Sequence, residues 1–449
     1  MAGSPTQSSS DGQNSPVFPF YKLPTELLVE IFEHICFQLY SANKSSAKDS
    51  NTTARFHGPA VALARVCQHW RRVVLGAPYF WTDIHITNWS KKVKAAAHTY
   101  LERSQSCPLS LTWVEEKSSG TGALAVLNDL IVPFAERCYR MSVDIYSPKV
   151  AGPLLAGMQT LDFPILRDLH FQVSGPRKRS PFKLIIQSAP RLRRCKFVNL
   201  IFTLPLPSNL AVLDYQFPLG AARSPDILGP LLDFFPHVAH SLERLRILTP
   251  LPFSPVIPRR PRILLQNLKS LVVCEQSCIV TDNIITPNLT SLCVARGRAN
   301  GLHGFHAPQL RSLTLCRVPL LPLLTLRDLP SMFPQLESVV FARCDDVSAS
   351  IPLLLAPEQN EPCSLQGGSK HPPKPYPFPK LKELTVVMDL EWPNCLPSLQ
   401  AAMQWQRRVD QDTHSFIEHL AQRFSDSRGV RFVITDTFDW RGSGLEVFM

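Results

Sequence analysis

Pro287-Asn-Leu-Thr-Ser-Leu-Cys-Val294 and Pro308-Gln-Leu-Arg-Ser-Leu-Thr-Leu315 are two copies of one pattern: a leucine, two variable residues, a second leucine, one variable residue and a third apolar residue. The pattern recurs nine times, at Leu166/Leu169/Phe171, Leu192/Cys195/Phe197, Leu210/Leu213/Tyr215, Leu242/Leu245/Ile247, Leu268/Leu271/Val273, Leu289/Leu292/Val294, Leu310/Leu313/Leu315, Leu336/Val339/Phe341 and Leu381/Leu384/Val386. In six copies a proline stands two residues before the first leucine (Pro164, Pro190, Pro287, Pro308, Pro334 and Pro379), where it ends the preceding segment and sets up an extended entry. Each copy supplies one short strand whose leucines cannot be buried within the copy and are buried only against its neighbours, so a stack of α/β units is expected. A conventional α/β domain would need long crossover helices, which the proline-rich intervals 249–262 and 351–379 do not supply. The second interval reads as a loop or disordered flap.

Working outward, the residues on either side of the second leucine should face away from the leucine core, on the concave strand surface, because side chains alternate along a strand. They are Asp168/His170, Arg194/Lys196, Val212/Asp214, Arg244/Arg246, Ser270/Val272, Ser291/Cys293, Ser312/Thr314, Ser338/Val340 and Glu383/Thr385. Arg194, Lys196, Arg244 and Arg246 would put four cations on one face, flanked by His170 and Asp214. Arginine pairs grip a carboxylate or phosphate bidentately, so an acidic or phosphorylated target segment would fit there; a plain solvated strand face is the alternative and the default reading. Before the array, Asp83–Ile86, Pro108–Val114 and Tyr139–Ile145 alternate as strands, and Lys92–Arg103 and Ala123–Cys138 read as helices. After it, Leu399–Phe424 as helix and Val430–Ile434 as strand read as a capping unit.

At the other end, Lys22-Leu-Pro-Thr-Glu-Leu-Leu-Val-Glu-Ile-Phe-Glu-His-Ile-Cys36 places Leu27, Leu28, Ile31, Phe32 and Ile35 at helical spacing, with Pro24 where a first helical position tolerates a missing N–H. Val61 to Val74 repeats the pattern through Leu63, Val66, Cys67, Trp70, Val73 and Val74, and Arg71 and Arg72 keep the other face wet. Two short helices with this much apolar surface cannot form a core alone, since about 60 residues is already marginal. They must bury it against something else.

These residues carry a resemblance. Leu23-Pro24, Glu26-Leu-Leu28, Glu30-Ile-Phe32, then Val66-Cys67, Trp70-Arg71 and Trp81 are similar in order, chemistry and spacing to the F-box, the helical module that docks on the Skp adaptor of cullin-RING ubiquitin ligases. The likeness covers about residues 20–81. It departs from the usual pattern in that Phe37 to Pro59 replaces a short Pro-x-Asp-Leu-type link, a lengthening familiar in fungal F-box-like proteins. The nine units resemble the degenerate leucine-rich repeats that follow many F-boxes: most starts, at 26, 18, 32, 26, 21, 21, 26 and 45 residues apart, fall near the 20–29 residues of that repeat, and Cys344 stands at its Asn/Cys position.

The resemblance implies an α/β repeat fold, a short all-helical F-box module over 20–82 with an inserted polar loop 37–59, followed by a leucine-rich-repeat solenoid over 83–435. Tails at 1–19 and 436–449 flank them, the first having the composition of a disordered segment. It further implies that Leu23, Pro24, Leu27, Leu28, Ile31, Phe32, Val66, Cys67, Trp70 and Trp81 form the adaptor-facing and self-packing surface. The chain would then be the substrate-recognition subunit of a Skp–cullin–F-box type ligase. A ligase-independent interaction scaffold and a basic nucleic-acid binder are the alternatives.

Composition narrows the classes. At 449 residues the chain exceeds one ordinary core, and 45% hydrophobic with 18% charged residues befits a folded, soluble protein. No apolar run approaches the roughly 20 residues of a membrane span. The start, Met1-Ala-Gly-Ser-Pro5, lacks the basic and apolar regions of a secretory signal, so a cytoplasmic or nuclear location is expected. Twelve cysteines without a paired framework are expected as thiols. Cys274, Cys278 and Cys293 do not match zinc-finger spacing, and neither metal nor cofactor is expected. The formal charge of +11 raises nucleic acid as a partner, but the basic clusters (Lys91-Lys-Val-Lys94, Arg177-Lys-Arg179, Arg259-Arg-Pro-Arg262) lack interleaved aromatics and read as solvated loops. No nucleophile elbow, phosphate loop or zinc-protease helix motif is present, so the chain is not expected to be an enzyme.

Overall fold

A computed structural model describes residues 23–46, 59–87, 89–115, 123–174, 182–186, 188–203, 209–216, 228–248, 261–274, 278–295, 305, 307–316, 329, 331–342, 380–387 and 431–435. The expected tails at 1–19 and 436–449, the interval 351–379 and the helix 399–424 lie outside these residues. The chain divides into two compact units, up to Thr112 and from Trp113 onwards.

The first unit runs α1 (Thr25–Ser46), α2 (Pro59–Leu63), α3 (Gln68–Gly76), a 3-10 turn (Pro78–Trp81), β1 (Asp83–Ile86) and α4 (Lys91–Arg103), and ends inside β2 (Leu109–Val114). Pro24 stands just before α1, and its carbonyl accepts the first helical bond from the Leu28 N–H at 3.1 Å. Leu28 and Phe32 are buried with Leu63, Val73, Val74, Phe80 and Trp81. Phe32 packs on Trp70 at 4.6 Å between ring centroids and on Phe80 at 6.2 Å. The buried Trp81 indole donates to the Val74 carbonyl at 2.9 Å, which satisfies the one polar atom it takes into the core.

Three expectations change here. α1 continues to Ser46, so residues 37–46 of the expected polar loop are helical; no glycine or proline interrupts Thr25–Ser46, and polarity alone does not stop a helix. The single helix expected over 61–74 is broken in two, because the Cys67 Sγ accepts from the Trp70 N–H at 3.4 Å and caps a new helix, α3. The compact unit runs on past residue 82 to Thr112 and takes in β1 and α4, while the described residues up to 82 lie in helices and turns. Trp81 meets Tyr100 edge-on at 4.9 Å and lies under the Arg103 guanidinium at 4.4 Å, which binds α4 into this unit.

The second unit opens with short helical turns, α5 (Ala123–Val126), a π turn (Leu127–Ile131), α6 (Val132–Phe134) and a 3-10 turn (Ala135–Arg137). They replace the continuous helix expected over 123–138, as Pro133 withholds a helical N–H. There follow β3 (Cys138–Ile145), α7 (Pro148–Met158), β4 (Asp168–Val173), β5 (Phe182–Ile185), β6 (Arg194–Val198), β7 (Leu200–Thr203), β8 (Val212–Gln216), α8 (Leu228–Val238), β9 (Arg244–Leu248) and β10 (Ile263–Leu264). Then come β11 (Ser270–Cys274), α9 (Cys278–Asp282), β12 (Ile284–Ile285), β13 (Ser291–Ala295), β14 (Ser312–Cys316), β15 (Ser338–Ala342), β16 (Glu383–Val387) and β17 (Arg431–Thr435).

One parallel sheet carries the strands in the order β3-β4-β6-β8-β9-β11-β13-β14-β15-β16-β17. Every Leu-x-x-Leu-x-apolar unit lies in phase with the next: Leu169, Cys195, Leu213, Leu245, Leu271, Leu292, Leu313, Val339 and Leu384 are successive lateral partners. These side chains and the first leucines before each strand are all buried, and each is worth roughly 1.5–3 kcal/mol. The result is an α/β fold with repeat-like stacking. β5 with β7 and β10 with β12 make two small parallel sheets, one strand of each pair per unit.

The prolines act differently from the expected extended entry. Leu166, Leu192, Leu289, Leu310 and Leu336 donate their N–H to the carbonyls of Phe163, Ala189, Thr286, Ala307 and Phe333, at 3.0 to 3.3 Å. Pro164, Pro190, Pro287, Pro308 and Pro334 are therefore second residues of four-residue turns, where their fixed φ is favourable. Each turn delivers the first leucine into the core.

Candidate functional site

Two surfaces are candidates, one on each unit. On the first, the apolar arc of α1 is wider than the core beneath it. At helical spacing Pro24, Leu27, Ile31, Ile35, Leu28 and Phe32 span an arc of about 140°. Leu28 and Phe32 fill its buried side, whereas Leu27 and Ile31 keep 45% and 36% of their surface exposed, Pro24 is exposed and Leu23 is half-buried. Val66, in the turn before α3, is 59% exposed.

The structure thus sorts the residues that the resemblance grouped together. Leu28, Phe32 and Trp81 are buried in the core of this unit; Trp70 is half-buried against Phe32; Cys67 is exposed and caps α3. Pro24, Leu27 and Ile31 remain as open apolar side chains on one helical arc, and Val66 is a further one in the turn before α3; exposed apolar groups of this kind make the arc a candidate interaction surface.

On the second unit the strand register brings Asp168, Arg194, Val212 and Arg244 into one lateral row, and His170, Lys196, Asp214 and Arg246 into the next. On the early strands Arg194 and Arg244 are exposed, and Asp168, His170, Lys196, Val212, Asp214 and Arg246 are half-buried. The expected field of four free cations is reduced by pairing. Arg194 lies 3.8 Å from Asp168 with 71% of its side chain exposed, and Arg246 lies 3.4 Å from Asp214 with only 16% exposed. The first contact is loose and solvated and contributes little. His170 Nδ1 is 3.1 Å from the Ser142 hydroxyl.

Sequence reasoning reads Tyr139–Ile145 as a strand but does not add it to this face, because its alternation lacks the leading leucine of the other units. Its Arg140 and Ser142 extend the two rows, and its Asp144 stands beside Gln172 on the same face. Asp144 accepts from the Ser174 hydroxyl at 2.7 Å, and burial raises its pKa, partly offset by that bond and by Lys196. Beside it, Glu115 is buried and accepts from the Ser147 N–H at 2.9 Å, at the start of α7. Burial raises the Glu115 pKa too, against the backbone N–H groups of Ser147 and Tyr146, and Asp144 pushes it further up.

The later strands differ from expectation. Val272, Cys293, Thr314, Val340 and Thr385, all expected on an open face, are buried. Together with Leu248, Cys274, Ala295, Cys316 and Ala342, the apolar ones among them form a second apolar cluster, opposite the leucines. Ser270, Ser291, Ser312 and Ser338 stay half-exposed at the strand starts. Burial lifts the Cys36 thiol to about 11, with Asp83 and Glu33 adding to it, and the Cys138 thiol to about 12; both stay protonated at neutral pH.

Among the described residues no group of three or more His, Cys, Asp or Glu could hold a metal ion, and no helix is long and apolar enough to cross a membrane. Compared with models of known protein families the sequence matches none, and no curated protein matches it.

Proposed function

We propose that this chain is a substrate receptor of a Skp–cullin–F-box type ubiquitin ligase, its first unit docking the adaptor and its stacked leucine-rich repeats holding a protein target. The observation that carries the reading is the half-open apolar arc of α1. A helix whose buried side is already filled by Leu28 and Phe32, yet which keeps Leu27 and Ile31 in water, is stabilised by a partner that covers them. The order of residues from Leu23 to Trp81 supports an adaptor as that partner.

Such a protein contributes position rather than chemistry. Tethering acceptor lysines beside a charged conjugating enzyme raises their effective concentration. The reading implies a cytoplasmic or nuclear location and no cofactor of its own.

The test separates contact from core. The double variant Leu27→Glu/Ile31→Glu should lose adaptor in pull-down by at least about 30-fold, the loss of one hot-spot anchor of about 2 kcal/mol, without lowering the unfolding temperature. Leu28→Ala should instead destabilise the fold by about 2–5 kcal/mol. Undiminished adaptor capture by the folded double variant would overturn the assignment of the contact to α1, and absence of capture by the unaltered chain would leave a ligase-independent scaffold as the better reading.

A further inference from the structure

We infer that Arg246 is an anchor for a carboxylate of the bound target, an aspartate or glutamate in a segment laid across β6, β8 and β9. This rests on the receptor reading and adds the chemistry of what is received. The Arg246 Nη1 donates to Asp214 Oδ2 at 3.4 Å, long beside the about 2.7–2.9 Å of a good charge-assisted bond. Its Nε and Nη2 are shielded from solvent and have no hydrogen-bond partner among the described residues. Those two N–H groups lie along one edge of the guanidinium, the edge that takes both oxygens of a carboxylate. A cation that has lost most of its water and has one weak contact in exchange is incompletely compensated.

Asp214 does not depend on that contact. Gln216 Nε2 donates to both of its oxygens, at 3.1 and 3.2 Å, so the guanidinium can turn to a new acceptor and leave Asp214 held. The register places exposed Arg244 two residues before Arg246 on the same face, and exposed Arg194 two strands away in the row of Arg244. These are the charges that would attract an acidic segment and align it. Asp144, Asp168 and Asp214 share the face, so a doubly charged phosphate meets repulsion that a single carboxylate largely escapes. The site therefore favours a glutamate or aspartate over a phosphoresidue.

The test is fluorescence anisotropy on the full chain with three labelled hexapeptides, alternating alanine with glutamate, with glutamine or with phosphoserine. The glutamate peptide should bind at least about tenfold more tightly than the glutamine one, and Arg246→Lys, which keeps the charge but loses the fork, should weaken it about five- to tenfold. Asp214→Asn removes the competing carboxylate without changing shape and should tighten binding about threefold or more. Thermal unfolding of each variant establishes that it is folded, and Asp214→Asn gives a gain that misfolding cannot mimic. Adaptor pull-down on the same proteins keeps the two readings apart: the receptor reading fails if the unaltered chain captures no adaptor, whatever the peptides do. The anchor is overturned if the glutamate and glutamine peptides bind alike, if folded Arg246→Lys binds as the unaltered chain, if Asp214→Asn weakens binding, or if the phosphoserine peptide binds more tightly than the glutamate one.

Discussion

The strands β4, β6, β8 and β9 and the strands β11, β13, β14 and β15 share one sheet, one register and one leucine core, yet their second faces are opposites. On the early strands that face holds Asp168, His170, Arg194, Lys196, Asp214 and Arg246, half-buried or exposed, with Arg194 beside Asp168 and Arg246 beside Asp214; on the later ones it holds Val272, Cys274, Cys293, Ala295, Cys316, Val340 and Ala342, all buried. A repeat therefore prescribes the face it shares with its neighbours and leaves the other free to become either a recognition surface or a second core. A parallel sheet buried on both faces needs near-continuous apolar strands, and Leu271-Val-Val-Cys274 and Val339-Val-Phe-Ala342 are such strands.

The comparison breaks most visibly under a buried charge. Val272→Asp should cost at least about 3 kcal/mol, because an unpaired carboxylate would enter an apolar cluster. Arg244→Asp, on the adjacent strand and exposed, should change stability by less than about 0.5 kcal/mol. Chemical denaturation of the two variants measures both. Equal costs would mean that the faces do not differ as described.

A smaller effect separates two arginines of the early face. Arg246→Met removes two unpartnered donors and leaves Asp214 bonded to Gln216, so it should raise stability by about 1 kcal/mol. Arg194→Ala removes a solvated contact at 3.8 Å and should stay within about 0.5 kcal/mol of the unaltered chain. A loss of stability in Arg246→Met would show that the Asp214 pairing is stronger than its length suggests.

The smallest effect is a pH dependence at the ends of the early strands. Glu115 and Asp144 ionise at higher pH in the folded chain than their ordinary values, so the folded state holds more protons than the unfolded one above about pH 4. Stability then falls as pH rises through the folded pKa values, and this cost is absent below the unfolded ones. Glu115→Gln keeps an acceptor for the Ser147 N–H and should raise the unfolding temperature at about pH 7 by about 1–2 °C. It should also flatten the gain seen in the unaltered chain as pH is lowered towards about 5.

Much of this was legible because short-range periodicity is a local property. The nine leucine triplets located nine strands, and alternation along them named Arg194, Lys196, Arg244 and Arg246 as residues of one face before any coordinates. The same alternation misled at β11, β13, β14 and β15, where it was read from the leucines alone and the apolar residues between them were taken as outward-facing. β3 is legible as a strand but not as a member of the charged face, because Met141 and Val143 carry its buried row without the leucine prefix. The proline turns were misread because the residue before a proline is extended in both an extended entry and a turn of another type; only the carbonyl-to-N–H closures onto Leu192 or Leu310 decide between them.

The order of side chains by itself determined that this protein stacks leucine strands and that an amphipathic helix opens the chain, because burial periodicity is written along each element. Which half of an apolar stripe is core is not written there. Leu27 and Leu28 are neighbours of one chemistry, and only the packing of α2, α3 and Trp81 makes one buried and the other exposed. Charge behaves likewise: the sequence supplied four cations, and the lateral register placed Asp214 beside Arg246 and left two of its N–H groups without an acceptor among the described residues. Pairing and exposure depend on residues distant in sequence, so the fold alone decides them.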